Sequence, residues 1–471
     1  MKTPYRNTFL MLPIRHWRDL LYQVTPWIII TYFVLRALQN AFYILPFIAP
    51  DELYHYELIK LYRHTWSLLT TAEIEAAGYA ITTNVPYLYH YLFGKLALLL
   101  PDSFALYQYL RVANLFLVTG TVIVFYKVSQ LLLPSKKLQL LALVILTNIP
   151  SFSFTASGIS YDHLVNLVTT SVIYAWIVFH QNKSKTHLLL IFALLALGTL
   201  AKISVFPFAF CVFLLVVANI LMSRRLSLLL PPYNAWQTVI VSISIVLYLL
   251  NAHLYLGNIL KFGYLTPSCT QVHSYEQCLR TSFNKPAQYL AEHPPPHVPL
   301  ENYLARAPFF FVNNLVHIGG HTAHFHTNTE VLIWFLAILM MSIGGLIAVT
   351  RQGTSKRKLL YQLLLTLAVY TVAVNYFVYN FYYRSNYFYT EGRYFFPVIA
   401  IIIPVLLHSL LIVKSSRIRT ILIVLIAGFV LTQDYPFVLT KAYPEWTITW
   451  YNINSDKLIT ELDYLEYHFA W

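Results

Sequence analysis

The stretch that decides the fold is His187–Leu221, which reads HLLLIFALLALGTLAKISVFPFAFCVFLLVVANIL. Among Asp, Glu, Lys and Arg, it contains one residue, Lys202, near its middle. A helix that crosses the hydrocarbon core of a bilayer needs about 20 predominantly apolar residues. The stretch therefore predicts two membrane helices joined as a hairpin, with Lys202 at its tip.

The composition of the whole chain points the same way. Of its 471 residues, 58% are hydrophobic and 11% are charged, whereas an ordinary soluble domain has about 25% charged residues. Three cysteines are too few for a dense disulfide scaffold. The formal net charge of +13 comes largely from Lys and Arg clustered in short loops between apolar segments, which is a topology signal. We predict an all-α polytopic membrane protein that does not bind nucleic acid.

Apolar runs define about eleven predicted membrane helices, with boundaries accurate to a few residues. They are Trp27–Ile48, Tyr107–Leu133, Leu138–Ala156, Leu164–Val178, His187–Ala201, Val205–Leu221, Trp236–Leu256, Val331–Val349, Leu359–Tyr379, Phe395–Val413 and Thr420–Leu431.

The distribution of charge predicts the orientation of these helices. Lys and Arg are enriched in the cytoplasmic loops of membrane proteins. If the basic N-terminal segment and the alternate basic loops are cytoplasmic, every acidic residue except Asp19 lies on the outer side. We predict one multi-span membrane domain at 1–433, with outer loops at 50–106 and 257–330, and a short outer tail at 434–471. The apolar segment Pro86–Leu100 is expected to lie along the outer surface.

The sequence contains no GxxxxGK[ST] phosphate loop and no Asp-x-Asp pair, which argues against a cytoplasmic nucleotide substrate. Outward-facing chemistry is therefore expected, and the sharpest candidate is Asp51-Glu52, followed by His55, where the first span ends. Adjacent carboxylates raise each other's pKa, and a general base benefits from such a shift. The alternative is a solvated loop whose acids mark the outer end of the helix.

A second candidate carboxylate is Asp162, the only acidic residue between Gln108 and Cys269. It follows Ser160 at the start of a predicted helix, so a structural role as a helix cap is the alternative.

Three cations, Arg111, Lys202 and Arg393, lie at or near predicted outer ends of membrane helices. Cations at membrane depth are costly and usually have a partner. A phosphate or diphosphate would suit, with Arg binding in a bidentate manner and Lys as a point charge. The alternative is an internal salt bridge to carboxylates of this chain. The candidates for such a bridge are Asp51, Glu52, Asp162 and Glu391.

Two further features are open to two interpretations each. Tyr87 lies in the tyrosine-rich stretch 84–91, where aromatic rings either bind a sugar or polyprenyl chain or anchor the segment at the membrane interface. Cys269 and Cys278 share a predicted outer loop and are candidates for a disulfide in an oxidising compartment, or remain thiols.

In their order and sidedness, these residues resemble the GT-C superfamily of membrane glycosyltransferases, which includes the protein O-mannosyltransferases and the aminoarabinose transferases of lipid A. The later markers are similar to a poorly characterised branch of bacterial multi-span membrane proteins. The resemblance covers Trp27 to about Leu411. It rests on Asp51-Glu52 with His55, Asn84/Pro86/Tyr87, Arg111, Asp162, Lys202, the Cys269/Cys278 loop, and Glu391-Gly392-Arg393-Tyr394.

The resemblance implies roles for these residues. Asp51 would be the general base, Glu52 would assist it, and Asp162 would support the acceptor or the base. Lys202 and Arg393 would hold the leaving phosphate. The remaining substrate-binding candidates are His55, Tyr87, Arg111 and Tyr394. No residue is assigned as a metal ligand, and the resemblance leaves a divalent metal open.

The implied function is transfer of a sugar from a polyprenyl-phosphate donor to a lipid or glycan acceptor, in contact with membrane lipids. It would occur at the outer face of a bacterial inner membrane, in cell-envelope glycan or glycolipid assembly. Two alternatives use the same charged residues: a transporter or flippase of a lipid-linked substrate, and a non-catalytic envelope-assembly partner.

Overall fold

The protein is described from a computed structural model. The described residues are 14–69, 73, 85–101, 104–224, 226–274, 276, 299–316, 328–385 and 391–432. Within these ranges the chain forms helices joined by short connections, and no β-strand occurs among them.

In chain order the α-helices are α1 (Ile14–Tyr43), α2 (Glu52–His64), α3 (Leu88–Leu96), α4 (Phe104–Leu132), α5 (Lys136–Asn148), α6 (Pro150–Thr155), α7 (Tyr161–Asn182), α8 (Lys185–Ala201), α9 (Phe206–Met222), α10 (Ala235–Asn251), α11 (Gly257–Phe262), α12 (Cys269–Val272), α13 (Leu300–Val316), α14 (Asn328–Thr350), α15 (Thr354–Ser385), α16 (Ile399–His408) and α17 (Ser416–Leu431). Short 3₁₀ turns lie at Ala97–Leu99, Ile203–Val205, Leu226–Leu229, Gly392–Val398 and Ser409–Leu411, and a π-helical turn lies at Ala252–Leu256.

Eight segments of the described chain are helical, long and apolar enough to cross a membrane, so the protein is a multi-pass membrane protein. The expected count of eleven is not confirmed. The other three predicted spans fall on shorter helices, namely α5 with α6, α8 and α17. The eight segments are Asp19–Tyr43, Ala105–Leu132, Tyr161–Asn182, Ile203–Met222, Ala235–Phe262, Val331–Thr350, Thr354–Asn380 and Gly392–Leu411.

The predicted span Leu138–Ala156 is interrupted at Pro150. A proline has no backbone N–H and is tolerated at the first position of a helix, so α5 ends and α6 begins there, with Ile149 in an extended conformation. Arg36 of α1 donates hydrogen bonds to Asn148 Oδ1 at 3.2 Å, to Ser153 Oγ at 3.0 Å and to the Thr147 carbonyl. Arg36 thereby links α1 to the place where α5 ends and α6 begins.

Helix α7 lies at the centre of the bundle, where it packs against both α4 and α8, while α8 also packs against α10. Val172, Ile173 and Trp176 of α7 are fully buried. In lipid, such helix association depends on close van der Waals packing and interhelical hydrogen bonds. This packing fixes the first turn of α7, which carries Asp162, next to the end of α8, which is followed by Lys202.

Two short helices, α2 and α3, pack against each other at the end of the bundle that carries the Asp51 loop. Gly94 of α3 makes this contact because a Cβ there would lie 2.7 Å from the Cβ of Tyr62 in α2. Lys95 donates a hydrogen bond to the Tyr62 carbonyl at 2.8 Å, near the C-terminus of α2, where a cation is favourable. With nine residues, α3 is too short to cross a bilayer.

Candidate functional site

Four separate segments bring charged side chains together. Lys202 Nζ lies 2.6 Å from Asp162 Oδ1, and Arg393 Nη2 lies 2.6 Å from Asp51 Oδ2. Arg393 Nη1 also lies 3.8 Å from Asp162 Oδ2, and the Arg393 guanidinium contacts the Glu391 carboxylate. We call Asp51, Asp162, Lys202, Glu391 and Arg393 the charged cluster. All five side chains are mostly buried, so these ion pairs are weakly screened by salt.

Local structure explains how each carboxylate is presented. Ser160 caps α7, since its Oγ accepts a hydrogen bond from the Asp162 N–H at 3.2 Å. The Asp162 side chain is therefore not the cap and lies instead against Lys202. Asp51 precedes α2 in the left-handed conformation, with φ 60°, which Asp adopts more readily than most residues. Lys202 ends α8 in an extended conformation, which turns the chain away from the helix axis.

Glu52, next to Asp51, makes a different contact. Its carboxylate faces Arg111 through two hydrogen bonds of 2.8 Å, to Nε and Nη2. It also accepts hydrogen bonds from the Ile159 N–H at 2.9 Å and from the Phe47 N–H at 3.1 Å. Glu52 and Arg111 are each 1% exposed. A buried pair of this kind persists where the geometry is good and the remaining polar atoms are satisfied.

The other hydrogen bonds of the Arg111 guanidinium are to backbone carbonyls at the end of α1. It donates to the carbonyls of Ala41 at 2.9 Å, Ile44 at 2.7 Å and Leu45 at 3.0 Å. Because the last carbonyls of a helix have no intrahelical donor, Arg111 caps α1 and holds Glu52 at the same time. The Glu52–Arg111 pair thereby ties the end of α1, the start of α2, α4 and the loop before α7 together, and it positions Asp51.

A pair of histidines lies beside the charged cluster. His55 Nδ1 is 3.0 Å from His90 Nε2, and the two rings stack. The His55 ring also packs edge-on against Tyr161, with centroids 4.4 Å apart, and Lys202 Nζ lies 4.3 Å from the centre of the Tyr161 ring. Burial lowers the pKa of His55 to about 3 and lowers the pKa of His90, so both rings are neutral at pH 7.

Of the remaining predicted site residues, Tyr394 lies near the charged cluster and Tyr87 does not. Lys202 Nζ lies 5.7 Å from the centre of the Tyr394 ring. Tyr87 is buried in a separate apolar cluster with Leu58 and Tyr62. Cys269 begins α12, but Cys278 lies outside the described residues, so the disulfide stays a prediction.

Sequence reasoning did not single out His90 or Tyr161. No spacing rule links His55 to His90 across 35 positions, and His90 lies in a tyrosine-rich stretch typical of a membrane interface. Within the described ranges, no three His, Cys, Asp or Glu side chains are grouped so that they could hold a metal ion.

These features define a multi-pass, all-helical membrane protein with a buried charged cluster where α2, α7, the end of α8 and the segment before α16 meet. The chain belongs to the family described as predicted membrane protein (DUF2142), whose model matches residues 64–402.

Among curated protein sequences, none matches this chain. Among solved structures, it is similar to the oligosaccharyltransferase of Archaeoglobus fulgidus in the apo form, with a TM-score of 0.48 and 12% sequence identity. The match covers 88% of this chain and 55% of the archaeal chain, so this protein spans about half the length of that relative.

Proposed function

We propose that this protein is a GT-C-type glycosyltransferase that moves a sugar from a polyprenyl-phosphate donor to a lipid or glycan acceptor. The observation that carries the proposal is the pairing of Arg393 with Asp51 beside the pairing of Lys202 with Asp162. Such an arrangement combines two cations suited to a phosphate with a carboxylate suited to a general base.

The reaction begins with an exchange of partners. The donor phosphate takes the place of Asp51 on Arg393, which can bind two phosphate oxygens at once, and it also approaches Lys202. This exchange leaves the Asp51 carboxylate able to accept a proton. Binding of the donor thus activates the base, which in the structure is held by a cation at 2.6 Å.

The chemical step is an in-line displacement at the anomeric carbon. Asp51 takes the proton of the acceptor hydroxyl, whose oxygen forms a bond to that carbon. The bond from carbon to the phosphate oxygen breaks, and its electron pair stays with the polyprenyl phosphate. Arg393 and Lys202 stabilise the charge that develops on the leaving group, and the configuration of the sugar inverts.

The other predicted residues support this step in different ways. Glu52 and Arg111 are satisfied by each other and by backbone groups, so we assign them to positioning Asp51 rather than to contact with the substrate. Asp162 orients Lys202. Tyr394 lies beside Lys202, and His55 lies beside it through the Tyr161 ring. Tyr87 is buried in the separate apolar cluster with Leu58 and Tyr62, so we give it no part in the transfer step.

We further propose that the active site faces outward from a bacterial inner membrane, in cell-envelope glycan or glycolipid assembly. Support for this orientation comes from the basic loops, which the positive-inside rule places on the opposite side from the acidic residues. The outer side of that membrane offers lipid-linked sugars rather than nucleotides as donors.

The test is transfer from radiolabelled synthetic polyprenyl-phosphate sugars to extracted membrane acceptors, with purified protein in lipid nanodiscs. We expect transfer by the wild type and a loss of at least about 10²-fold in Asp51→Asn, since general-base contributions are typically 10²–10⁴-fold. Glu57→Gln is the matched control because Glu57 lies on α2, the helix that Asp51 precedes, and pairs with Lys60 at 3.1 Å.

Two outcomes would contradict the proposal. Normal transfer by a folded Asp51→Asn variant would exclude Asp51 as the base. Movement of intact donor across proteoliposome membranes without sugar transfer would favour a transporter or flippase.

A further inference from the structure

The histidine pair has no part in the proposed transfer step, yet its geometry is specific. His55 Nδ1 and His90 Nε2 are 3.0 Å apart, and both residues are buried. His55 Nε2, the other nitrogen of that ring, is buried and has no hydrogen-bond partner among the described residues. An unpaired buried polar atom is costly, which points to a partner that arrives during function.

The His55 ring lies close enough to Asp51 for the two side chains to interact electrostatically. The two residues are one helical turn apart, and the His55 N–H donates to the Asp51 carbonyl at 3.0 Å. The negative charges of Asp51 and Asp162 act on the His55 ring strongly enough to oppose the effect of burial on its pKa. The groups around this ring are Asp51 and Tyr54 on its own segment, Tyr89 and His90 on α3, Tyr161 and Asp162 on α7, and Lys202 and Arg393.

Two neutral imidazoles in hydrogen-bond contact share one proton at that contact. In one arrangement His55 Nδ1 carries the proton, so His55 Nε2 is a free acceptor and His90 Nδ1 is protonated. In the other, His90 Nε2 carries the proton, His55 Nε2 is protonated and His90 Nδ1 is free. The two arrangements differ by the passage of one proton across both rings.

We propose that the His55–His90 pair carries the proton away from Asp51 after each transfer step. This inference rests on the proposed function of Asp51. The Asp51 carboxylic acid gives its proton to His55 Nε2, the His55 Nδ1 proton moves to His90 Nε2, and the His90 Nδ1 proton leaves to water. Asp51 returns to the carboxylate form, and both rings begin and end neutral. After product release, His55 Nε2 gives its proton to water, the shared proton returns to His55 Nδ1 and His90 Nδ1 takes a proton from water, which restores the first arrangement.

The neutral path fits the surroundings of the pair. Lys202 and Arg393 lie close enough to disfavour a positive charge on His55, and burial disfavours it further. A relay through a stable imidazolium would therefore be slow, whereas a concerted passage keeps net charge on the rings unchanged. Among the described residues, His90 has no hydrogen bond or ion pair with Asp51, Asp162, Lys202 or Arg393 and contacts His55 instead, so it acts through His55.

The first test needs no substrate. Solid-state NMR of ¹⁵N-histidine-labelled protein in proteoliposomes, with His55→Gln and His90→Gln for assignment, should show two neutral rings at pH 7. It should also show nitrogen–nitrogen coupling across one shared proton. An imidazolium signal from either residue, or the absence of that coupling, would overturn the relay. This result stands whether or not the protein transfers sugars.

The second test separates the relay from packing. His90→Phe keeps the ring and removes both nitrogens, while His64→Phe is the control because His64 is an exposed residue at the end of the same α2 helix that carries His55. With synthetic polyprenyl-phosphate sugars, we expect His90→Phe to lower kcat by about tenfold or more, with KM unchanged. We also expect the solvent isotope effect on kcat to increase and added imidazole to restore part of the rate.

The outcomes of the second test distinguish two failures. A folded His90→Phe variant with the kcat and isotope effect of the wild type would refute the relay and leave the transferase assignment standing. A wild type that transfers none of the donors would count against the proposed function, while the NMR result would still decide whether the pair shares a proton.

Discussion

Glu52→Gln tests the distinction between two adjacent carboxylates. The Glu52 carboxylate accepts four hydrogen bonds, two from Arg111 at 2.8 Å and one each from the Ile159 N–H at 2.9 Å and the Phe47 N–H at 3.1 Å. A glutamine amide replaces one acceptor oxygen with a donor nitrogen. Whichever way the amide is oriented, that nitrogen faces two N–H donors, and Arg111 loses its counter-charge.

The expected cost follows from these contacts. Removal of one partner of a buried ion pair typically costs about 3–5 kcal/mol. We expect Glu52→Gln to lower the free energy of unfolding by that amount, measured by tryptophan fluorescence during unfolding with SDS in mixed micelles. Asp51→Asn is the matched control, because Arg393 keeps its contacts with Asp162 and Glu391 and Asn tolerates the left-handed backbone of Asp51.

The double variant Glu52→Gln/Arg111→Gln sharpens the test. It removes the unpaired charge, but the carbonyls of Ala41, Ile44 and Leu45 at and just after the end of α1 lose a donor. We therefore expect only partial recovery of stability. A Glu52→Gln variant that unfolds within about 1 kcal/mol of the wild type would refute the view that this buried pair holds the loop.

Three further predictions concern the same region. Asp162→Asn and Lys202→Met should each lower initial transfer rates by about 10–10²-fold, and the double variant should lose no more than the worse single one, because the two residues act as a unit. Gly158→Ala should cost about 1–3 kcal/mol in the same unfolding assay, since its Cβ would lie 2.6 Å from a neighbouring side chain, whereas Gly428→Ala, with open space around it, should not. The pKa of His55 falls from 6.5 to about 3 on folding, so the unfolded chain takes up a proton at a higher pH than the folded protein does. The free energy of unfolding should therefore fall as the pH drops below about 6.5, by up to about 1.4 kcal/mol per pH unit. Unfolding curves should show a smaller difference between pH 7 and pH 5 in His55→Gln than in the wild type.

The sequence allowed the class of fold to be predicted because apolar length alone identifies membrane helices. It was less informative about helix number. Leu138–Ala156 has the composition of a span, yet Pro150 divides it, and hydropathy averaged over a window does not register one missing N–H. The segment His187–Ala201 lies within α8, whose length of 17 residues is below the usual requirement for a span.

The sequence predicted which residues form the candidate site but not which carboxylate pairs with which cation. Asp51, Asp162, Lys202 and Arg393 stood out because charges near membrane helices are rare. Which carboxylate meets which cation depends on tertiary contacts between positions as far apart as 51 and 393, and the sequence carries no local sign of them. Glu52 was grouped with Asp51 because the two are adjacent in sequence. In the structure their side chains have different partners, Arg111 for Glu52 and Arg393 for Asp51.

Because Arg393 and Lys202 already lie 2.6 Å from carboxylates of their own chain, a small anion must displace a carboxylate in order to bind there. Inorganic phosphate or sulfate would bind through its charge alone. A lipid-linked phosphate is also anchored in the bilayer by its hydrocarbon chain, at about 0.8 kcal/mol per buried CH₂ group, which concentrates it beside the site. Abundant buffer anions would therefore compete poorly with a scarce amphiphile, and an inhibitor that imitates only the phosphate would be weak.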